Sequence, residues 1–208
     1  MAGSRYPHHV HPGSGAPPEP DDLYAEPPPW GIGRPQPAFL ALAEAGVIRA
    51  RCWTSAAGPA STYSCVPGSA WTPRASTSPP GPCAAEEKAR ERGRTARFLH
   101  GDARKLSELR ETFGTVLDCG LFHIVDADDR AAYVDNLRAA IRPGGRYFML
   151  GLSDRQPGDW GCVHKLTRAE IEASLTNGWR IDSIDPSTID ITTDPDGIRA
   201  WLVALTRI

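Results

Sequence analysis

The chain has 208 residues and a mass of 22.5 kDa, enough for one domain with a buried hydrophobic core and flanking tails. Its formal net charge of −2 and its pI near 6.3 give no general attraction to polyanions, so nucleic acid is a poor candidate for a substrate or partner. The sequence contains neither an apolar run long enough to cross a bilayer nor a signal-peptide pattern, and we expect no membrane partner and a cytoplasmic location.

The histidines and cysteines do not predict a metal site. Residues 1–22 are rich in Pro, Gly and His and carry almost nothing to bury, so we interpret them as a disordered tail ahead of a domain at residues 23–208. His8, His9 and His11 could bind a metal, although histidines on a flexible tail are usually only solvated. The five cysteines lack the spacing of a metal site or a disulfide framework, which fits a reducing cytoplasm. The sequence predicts no metal, and it leaves the oligomeric state unknown.

A proline-rich arm leads into the first helix. Consecutive prolines at residues 27–29 fix an extended path into Trp30 and Arg34. Apolar residues then recur at helical spacing from Phe39 to Val47. This pattern predicts a lid-like arm followed by a helix.

Residues 52–82 differ in composition from the rest of the chain, and we call them the anomalous segment. They contain six prolines, ten serines and threonines, and three tryptophan or tyrosine residues, but no Leu, Ile, Phe, Asp, Glu or Lys. Such a segment lacks the apolar residues of a core strand. The α/β pattern around it would have its first two strands and its nucleotide loop here, so these two strands are in doubt.

A change of reading frame would explain the anomalous segment. If the codons are read one base earlier, free third bases permit VLDVGCGTG at residues 51–60, which is a strand running into a glycine-rich loop. The codons of Cys52, Trp53 and Thr54 force its Leu and Asp. The same frame permits GVDATGVDL near residues 74–80, a second strand that ends in an acid. Our hypothesis is that two compensating frameshifts bracket the segment, in the gene or in its reading; the alternative is a natural low-complexity insertion.

Beyond the anomalous segment the pattern alternates between helices and strands. We predict a polar helix at residues 84–92, a short helical piece around Leu106, and an amphipathic helix that carries Val134, Leu137 and Ile141 and ends at Pro143. A capping-box pattern at Thr167 and Glu170 predicts the start of one more helix. Strands are predicted at residues 95–99, 113–118, 147–152, 179–184 and 200–206.

Four stretches carry a family resemblance through their order and spacing. They are PPWGIGRPQPAF (28–39), ARFLHGDA (96–103), TVLDCGLFHIVDADDR (115–130) and RPGGRYFML (142–150). Together they resemble the class I S-adenosylmethionine-dependent methyltransferases, in particular small bacterial members akin to thiopurine and tellurite methyltransferases. The resemblance implies a Rossmann-like α/β fold: a seven-stranded, mostly parallel sheet with an antiparallel C-terminal strand pair, and a ligand at the carboxyl ends of the strands.

The resemblance also implies the cofactor, S-adenosylmethionine, and the residues that bind it. In the family an acid after the third strand contacts the adenine amino group, and the end of the fourth strand borders the methionine part. The matching residues here are Asp102, Ala103, Asp118, Cys119 and Gly120. The glycine-rich loop and the acid that holds the ribose hydroxyls have no match in the residues as written.

Five further candidates concern catalysis and the substrate. His123 is the candidate catalytic base, because imidazole can accept a proton near neutral pH; the alternative is a loop histidine with a local hydrogen bond. Flat apolar faces and a guanidinium can enclose a small, partly anionic ligand, so the substrate candidates are Trp30, Arg34, Phe122 and Trp160. Structural packing explains Trp30 equally well, and Asp118 either orients the cofactor or only ends its strand.

The sequence thus predicts S-adenosylmethionine-dependent methyl transfer to a small-molecule acceptor. Such a transfer is an in-line displacement, so the protein mainly aligns the acceptor with the methyl group and excludes water. Two alternatives stay open. One is a catalytically inactive relative, or a damaged gene product, that lacks the cofactor loop; the other is a nicotinamide-dependent oxidoreductase of the same fold type.

Overall fold

The computed structural model describes residues 29–48, 52–56, 74–77, 97–100, 103–160 and 163–208. Within these ranges one sheet contains the strands β1 (Cys52–Ala56), β2 (Arg74–Thr77), β3 (Arg97–His100), β4 (Phe113–Cys119), β5 (Ile141–Leu152), β6 (Trp179–Ile189) and β7 (Ile198–Arg207). The described helices are α1 (Pro37–Glu44), α2 (Ala127–Ala140) and α3 (Arg168–Ser174), with 3₁₀ segments at Ala103–Leu109 and Phe122–Ile124.

The strand order is β3-β2-β1-β4-β5-β7-β6. Strands β1 to β5 pair in parallel, and β7 pairs antiparallel with both β5 and β6. The predicted α/β fold, mostly parallel with antiparallel C-terminal strands, is confirmed. The order reverses between β1 and β4, and in open α/β sheets ligands bind outside the carboxyl ends of the strands at such a point.

The prediction that the anomalous segment cannot supply a core strand is wrong for its first five residues. Strand β1 lies between β2 and β4, so backbone pairing on both edges holds it irrespective of side-chain type. Cys52 and Trp53 are fully buried, and the Trp53 ring lies 5.3 Å from that of Phe113. One large aromatic ring therefore supplies apolar volume that the composition of the segment as a whole conceals.

The sheet buries apolar side chains on both faces. Neighbouring residues of β4 and β5 alternate between two core clusters, as the two-residue period of a strand requires. One cluster packs the sheet against α2 and α3 and contains Trp53, Val116, Tyr133, Leu137, Tyr147, Met149, Ile171 and Trp201. The other packs it against α1 and contains Phe39, Leu117, Phe148, Leu150 and Leu152.

The proline-rich arm is fastened to the segment that follows β6. The buried Gln36 side chain makes two hydrogen bonds with the backbone of Asp190, donating to its carbonyl oxygen (3.0 Å) and accepting from its N–H (2.8 Å). Arg34 forms an ion pair with the Asp190 carboxylate at 2.6 Å. These contacts hold the arm and α1 against the second core cluster.

Two boundaries differ from the prediction. Helix α2 ends at Ala140, and Ile141, predicted as a helical residue, begins β5 because its extended backbone (φ −97°, ψ 131°) lets a buried side chain pair with β4. Residues Pro143 to Gly145 form an irregularity inside β5, where the register with β4 shifts. The predicted capping box is confirmed: the Thr167 hydroxyl accepts from Glu170 N–H, and the Glu170 carboxylate accepts from Thr167 N–H.

Three predictions lie outside the described residues: the disordered tail, the helix at residues 84–92, and the position of Asp102. None of the helices in the described ranges combines the length and the apolar character that a membrane crossing requires.

Candidate active site

A sharp turn follows the carboxyl end of β4, beside the point where the strand order reverses and where open α/β sheets have their ligand crevice. Ala56 at the end of β1 is in register with Cys119 at the end of β4. Gly120 then adopts φ +84°, a conformation that L side chains rarely adopt, and its N–H donates to Leu150 O over 3.0 Å. A Cβ atom on Gly120 would lie 3.3 Å from Cε1 of His123. The glycine therefore lets the His123 ring lie directly against the end of β4.

Asp118 is fully buried beneath this turn, and three protein donors occupy its carboxylate. Leu121 N–H donates to Oδ1 over 2.9 Å. The hydroxyls of Tyr133 and Tyr147 donate to Oδ2 over 2.8 and 2.7 Å. This network ties α2 and β5 to the end of β4, so the geometry gives Asp118 a structural task whether or not it also touches the cofactor.

Burial makes the ionised forms of the residues around this turn costly. It raises the pKa of Asp118 above its usual value, an effect that outweighs the hydrogen bonds from Tyr147 and Tyr133. Burial, followed by the charge of Asp118, raises the pKa of the Cys119 thiol to about 12. Cys119 is therefore an uncharged thiol at neutral pH and cannot act as a thiolate nucleophile.

One ring nitrogen of His123, Nδ1, accepts a hydrogen bond from the backbone and so is not available to accept a proton. Leu152 N–H donates to Nδ1 over 2.9 Å. Burial, with a smaller contribution from the charge of His164, lowers the pKa of His123 to about 4. The neutral ring must then carry its proton on Nε2, since Nδ1 is an acceptor. In this arrangement Nε2–H of His123 can donate a hydrogen bond, and the role of His123 as a catalytic base stays a prediction.

The lowered pKa of His123 predicts a pH effect on stability. Between pH 4 and 6.5 the unfolded chain binds a proton at this histidine and the folded chain does not, so the free energy of unfolding should fall as the pH drops through that window. The variant H123N keeps an acceptor for Leu152 N–H but does not titrate. Urea titrations at several pH values should show a weaker acid-induced loss for H123N than for the parent; equal losses would contradict the assigned protonation state.

A half-open cavity of about 470 Å³ begins at His123 and lies among the segments that follow β4 and β5. Its apolar lining comes from Ile124, Val125, Trp160 and Val163. The structure thus brings together two of the predicted site residues, His123 and Trp160. Trp160 is oriented by a hydrogen bond from Nε1 to Pro157 O over 3.0 Å.

Phe122, predicted to contact the substrate, does not line this cavity. Its ring is fully buried in the first core cluster, 6.3 Å from the Tyr133 ring. Its neighbour Ile124 is 46% exposed and lines the cavity in its place. The 3₁₀ turn of these residues directs Phe122 into the core and Ile124 to the cavity, and the sequence pattern alone does not reveal that turn.

Arg130 places a buried cation in the cavity wall. Its side chain is 7% exposed, and its guanidinium lies 5.1 Å from the centre of the Phe122 ring and 3.4 Å from Val125 O. Among the described residues its Nε has no hydrogen-bond partner. Because Arg130 lines the cavity, the other nitrogens of its guanidinium can donate to a ligand group that accepts hydrogen bonds.

Neither Trp30 nor Arg34 lines the cavity. Trp30 packs against the second core cluster, and Arg34 is exposed in its ion pair with Asp190. In the described part of the chain, no group of three or more His, Cys, Asp or Glu side chains could hold a metal ion.

At the carboxyl end of β4 the chemistry of Cys119 and Gly120 is compatible with the methionine end of S-adenosylmethionine, and their role in binding it stays a prediction. Gly120 has no side chain that could cover its main chain there, the His123 ring lies against it, and the Cys119 thiol beside it is uncharged. Ala103 begins the 3₁₀ segment that follows the third strand, and its predicted partner Asp102 lies outside the described residues. Residues 78–82, which come directly after β2, contain no acid for the ribose hydroxyls.

Comparison with known proteins defines the class. A family model described as a methyltransferase domain matches residues 77–145. A 2-heptyl-1-hydroxyquinolin-4(1H)-one methyltransferase of Mycobacteroides abscessus is 29% identical over 173 residues, covering 82% of this chain and 76% of the relative. A solved structure reported under "Conversion of a Disulfide Bond into a Thioacetal Group during Echinomycin Biosynthesis" is 30% identical with a TM-score of 0.76, covering 87% of this chain and 86% of that chain.

A more distant structure shares the fold. The magnesium protoporphyrin IX methyltransferase of Synechocystis with bound S-adenosylmethionine is 17% identical with a TM-score of 0.62, covering 82% of this chain and 77% of that one. The chain belongs to the class I S-adenosylmethionine-dependent methyltransferases. Membership of this family implies S-adenosylmethionine as the methyl donor. These similarities do not favour the alternative of an inactive relative.

Proposed function

We propose that this chain binds S-adenosylmethionine at the carboxyl ends of β1 and β4 and transfers its methyl group to an oxygen or sulfur atom of a small, flat acceptor held in the cavity. The observation that carries the proposal is the position of His123. Its ring lies against Gly120 at the crevice and also lines the cavity, so the two sites share a wall. A donor methyl group and an acceptor atom can meet only where such sites adjoin.

The residues of the chain would bind and orient the reactants. The main chain of Cys119 and Gly120 would hold the methionine part of the cofactor, which supplies an electrophilic methyl group when bound. Asp102 and Ala103 remain the candidates for the adenine. The Trp160 ring would hold a flat acceptor, and Nε2–H of His123 with the Arg130 guanidinium would donate to its oxygen.

The relatives support a heteroatom acceptor. The Mycobacteroides abscessus enzyme is named for a hydroxyquinolinone, a flat ring system with a hydroxyl on nitrogen. The structure at 30% identity concerns conversion of a disulfide into a thioacetal, which is chemistry at sulfur. A cavity with one aromatic face, aliphatic neighbours and two donors suits a flat molecule with a polar edge.

A direct assay tests the function. We expect the purified chain, incubated with S-adenosylmethionine and 2-heptyl-1-hydroxyquinolin-4(1H)-one, to yield a product heavier by one methyl group in place of a hydrogen, detected by mass spectrometry. S-adenosylhomocysteine should form in equal amount. Failure to methylate this compound and a panel of phenols, hydroxamates and thiols, by a chain that is folded and binds the cofactor, would overturn the acceptor assignment.

Removing the aromatic face of the cavity should weaken acceptor binding. We expect W160A to raise KM for the acceptor about tenfold with little change in kcat, because stacking on the ring contributes roughly 1–1.5 kcal/mol to binding in both ground and transition states. W30A is the matched control, since Trp30 lies outside the cavity lining. If W30A alone raised KM, the acceptor would bind at the arm and not in this cavity.

Adding a methyl group at Gly120 should disturb the shared wall. We expect G120A to lower the free energy of unfolding by about 1–3 kcal/mol, because φ +84° strains any L side chain. Its Cβ would also displace the His123 ring. The rate of methyl transfer should therefore fall by more than the smaller fraction of folded protein explains. G46A is the control: Gly46 also has a positive φ, +69°, but open space where the Cβ would stand, and it lies outside the cavity lining. Equal effects on activity would contradict the role of the wall.

A further inference from the structure

We propose that His164, oriented by Glu170, is the general base that accepts the proton of the methyl acceptor, while His123 on the same cavity serves as a hydrogen-bond donor. This inference rests on the proposed function. It assigns a catalytic role to a residue that the sequence patterns did not single out. Both histidines line the cavity, and His164 comes from the segment between β5 and α3.

The Glu170 carboxylate is held rigidly by the start of α3. Its Oε2 accepts hydrogen bonds from Thr167 N–H (2.8 Å) and from the Thr167 hydroxyl (2.7 Å), completing the capping box. Its Oε1 lies 2.7 Å from Nε2 of His164. Partial burial alone would raise the pKa of Glu170, but the hydrogen bonds from Thr167 and His164 prevail and lower it to about 2. The carboxylate is thus ionised throughout the working pH range.

The Glu170 contact fixes the tautomer of His164. An ionised carboxylate can only accept a hydrogen bond, so Nε2 of His164 must carry the proton that is donated to Oε1. The other ring nitrogen, Nδ1, then holds a lone pair when the ring is neutral. No hydrogen bond from another described residue occupies that nitrogen. In many enzymes the base that takes the proton of a nucleophile is itself oriented by a third group, and Glu170 has that position here.

The two cavity histidines therefore offer opposite functions. In His123 the backbone of Leu152 occupies Nδ1 and leaves Nε2–H as a donor. In His164 the carboxylate occupies Nε2–H and leaves Nδ1 as an acceptor. An acceptor with an X–H group next to an oxygen can use both, giving its proton to one ring and receiving a hydrogen bond from the other.

Six other titratable or charged side chains share the cavity with His164. The titratable and charged side chains that line the same cavity are His123, Asp126, Arg130, Asp159, Lys165 and Glu170. Lys165 already donates to the backbone oxygens of Gln156 and Gly158. Glu170 is the carboxylate in direct contact with the ring, and it stabilises the imidazolium cation that proton transfer creates.

The step balances in atoms and charge. The lone pair of the acceptor atom X forms a bond to the methyl carbon, and the bond from that carbon to the donor's sulfur breaks with its electron pair on sulfur. The X–H proton passes to Nδ1 of His164. The positive charge thereby moves from the sulfonium to the imidazolium, and His164 afterwards releases the proton to solvent through the open side of the cavity.

Nuclear magnetic resonance of the chain without cofactor or acceptor tests the tautomers independently of turnover. With ¹⁵N-labelled histidine above neutral pH, we expect both rings as Nε2–H tautomers. E170Q should shift the ring nitrogen signals of His164 and leave those of His123 unchanged. The glutamine side chain of this variant can still complete the capping box, so α3 should stay intact. A His164 ring that carries its proton on Nδ1 would overturn the inference.

Activity separates a base from a structural residue. For an acceptor whose hydroxyl is un-ionised at pH 7, such as a simple phenol, we expect H164Q to lower kcat about 100-fold or more. For an acceptor that is already anionic, such as 4-nitrothiophenol, the same variant should change kcat less than threefold.

E170Q and E172Q form a matched pair on α3. We expect E170Q to lower kcat for phenol about tenfold, whereas E172Q should leave it unchanged, because Glu172 pairs with Arg168 away from the cavity. Equal losses for both kinds of acceptor in H164Q, or no loss for either, would overturn the base role while leaving the methyltransferase function in place. Absence of methyl transfer to any acceptor in the parent chain would overturn the proposed function and the base role with it.

Discussion

Replacing Trp53 with alanine should lower the free energy of unfolding by about 3–5 kcal/mol, the cost of deleting a fully buried aromatic side chain. Trp53 lies in β1 at the centre of the sheet and packs against Phe113. This is one of the two largest effects that we expect, because it removes the largest buried apolar side chain among the described residues of the anomalous segment. Urea unfolding followed by circular dichroism measures it.

Two controls make this result specific. W53F keeps an aromatic ring against Phe113 and removes the buried Nε1–H, which has no partner among the described residues, so it should cost less than about 1.5 kcal/mol. W160A removes a partly exposed ring and should also cost less than W53A. A W53A chain with the stability of the parent would contradict the assignment of residues 52–56 to the central strand.

Replacing Asp118 with alanine should lower the free energy of unfolding by about 3 kcal/mol. The change leaves two buried tyrosine hydroxyls and Leu121 N–H without their acceptor, and each unsatisfied buried group costs about 1–3 kcal/mol. The relief of a buried carboxylate whose pKa is raised offsets part of this loss. Thermal and urea unfolding should agree on the value.

Tyrosine variants measure how much each hydrogen bond to Asp118 contributes to stability. Y133F and Y147F each remove one donor and should each cost about 1–2 kcal/mol, with a non-additive double variant because both hydroxyls share Oδ2. If D118A instead kept its stability and only weakened S-adenosylmethionine binding, Asp118 would be a cofactor ligand, as the family resemblance implies. The predicted cofactor role would then take precedence over the structural one.

The elements that the sequence predicts well are those with a local signal, either a short and almost wholly apolar run or a helix cap. The strand predicted at residues 113–118 is observed at Phe113–Cys119, and the buried strand predicted at 147–152 forms the end of β5. The helix start at Thr167 is confirmed because a capping box is a local interaction that the sequence states directly.

The missed features depend on contacts that are distant in sequence. Strand β1 escaped detection because its pairing with β2 and β4 does not require a conventional apolar run. The choice of Ile124 over Phe122 as a cavity residue depends on a single 3₁₀ turn. His164 had one visible signal, its position six residues before the capping-box Glu170, but the sequence alone does not reveal that a capping carboxylate also orients a ring.

The frameshift hypothesis remains a proposal. Strands β1 and β2 begin at residues 52 and 74, within the stretches for which the shifted frame permits VLDVGCGTG and GVDATGVDL. Sequencing of the locus tests it: the hypothesis expects a pair of compensating single-base changes that bracket the anomalous segment. Independent reads that reproduce the present codons would favour a natural insertion.

Equilibrium binding of S-adenosylmethionine to the chain as written is the most direct test of the account. Isothermal titration calorimetry should show saturable binding at one site, competed by S-adenosylhomocysteine and unaffected by H164Q, because that substitution lies on the acceptor side. A chain that unfolds cooperatively, and so is folded, yet releases or absorbs no heat with either compound and retains no labelled cofactor in equilibrium dialysis would contradict the proposed cofactor site.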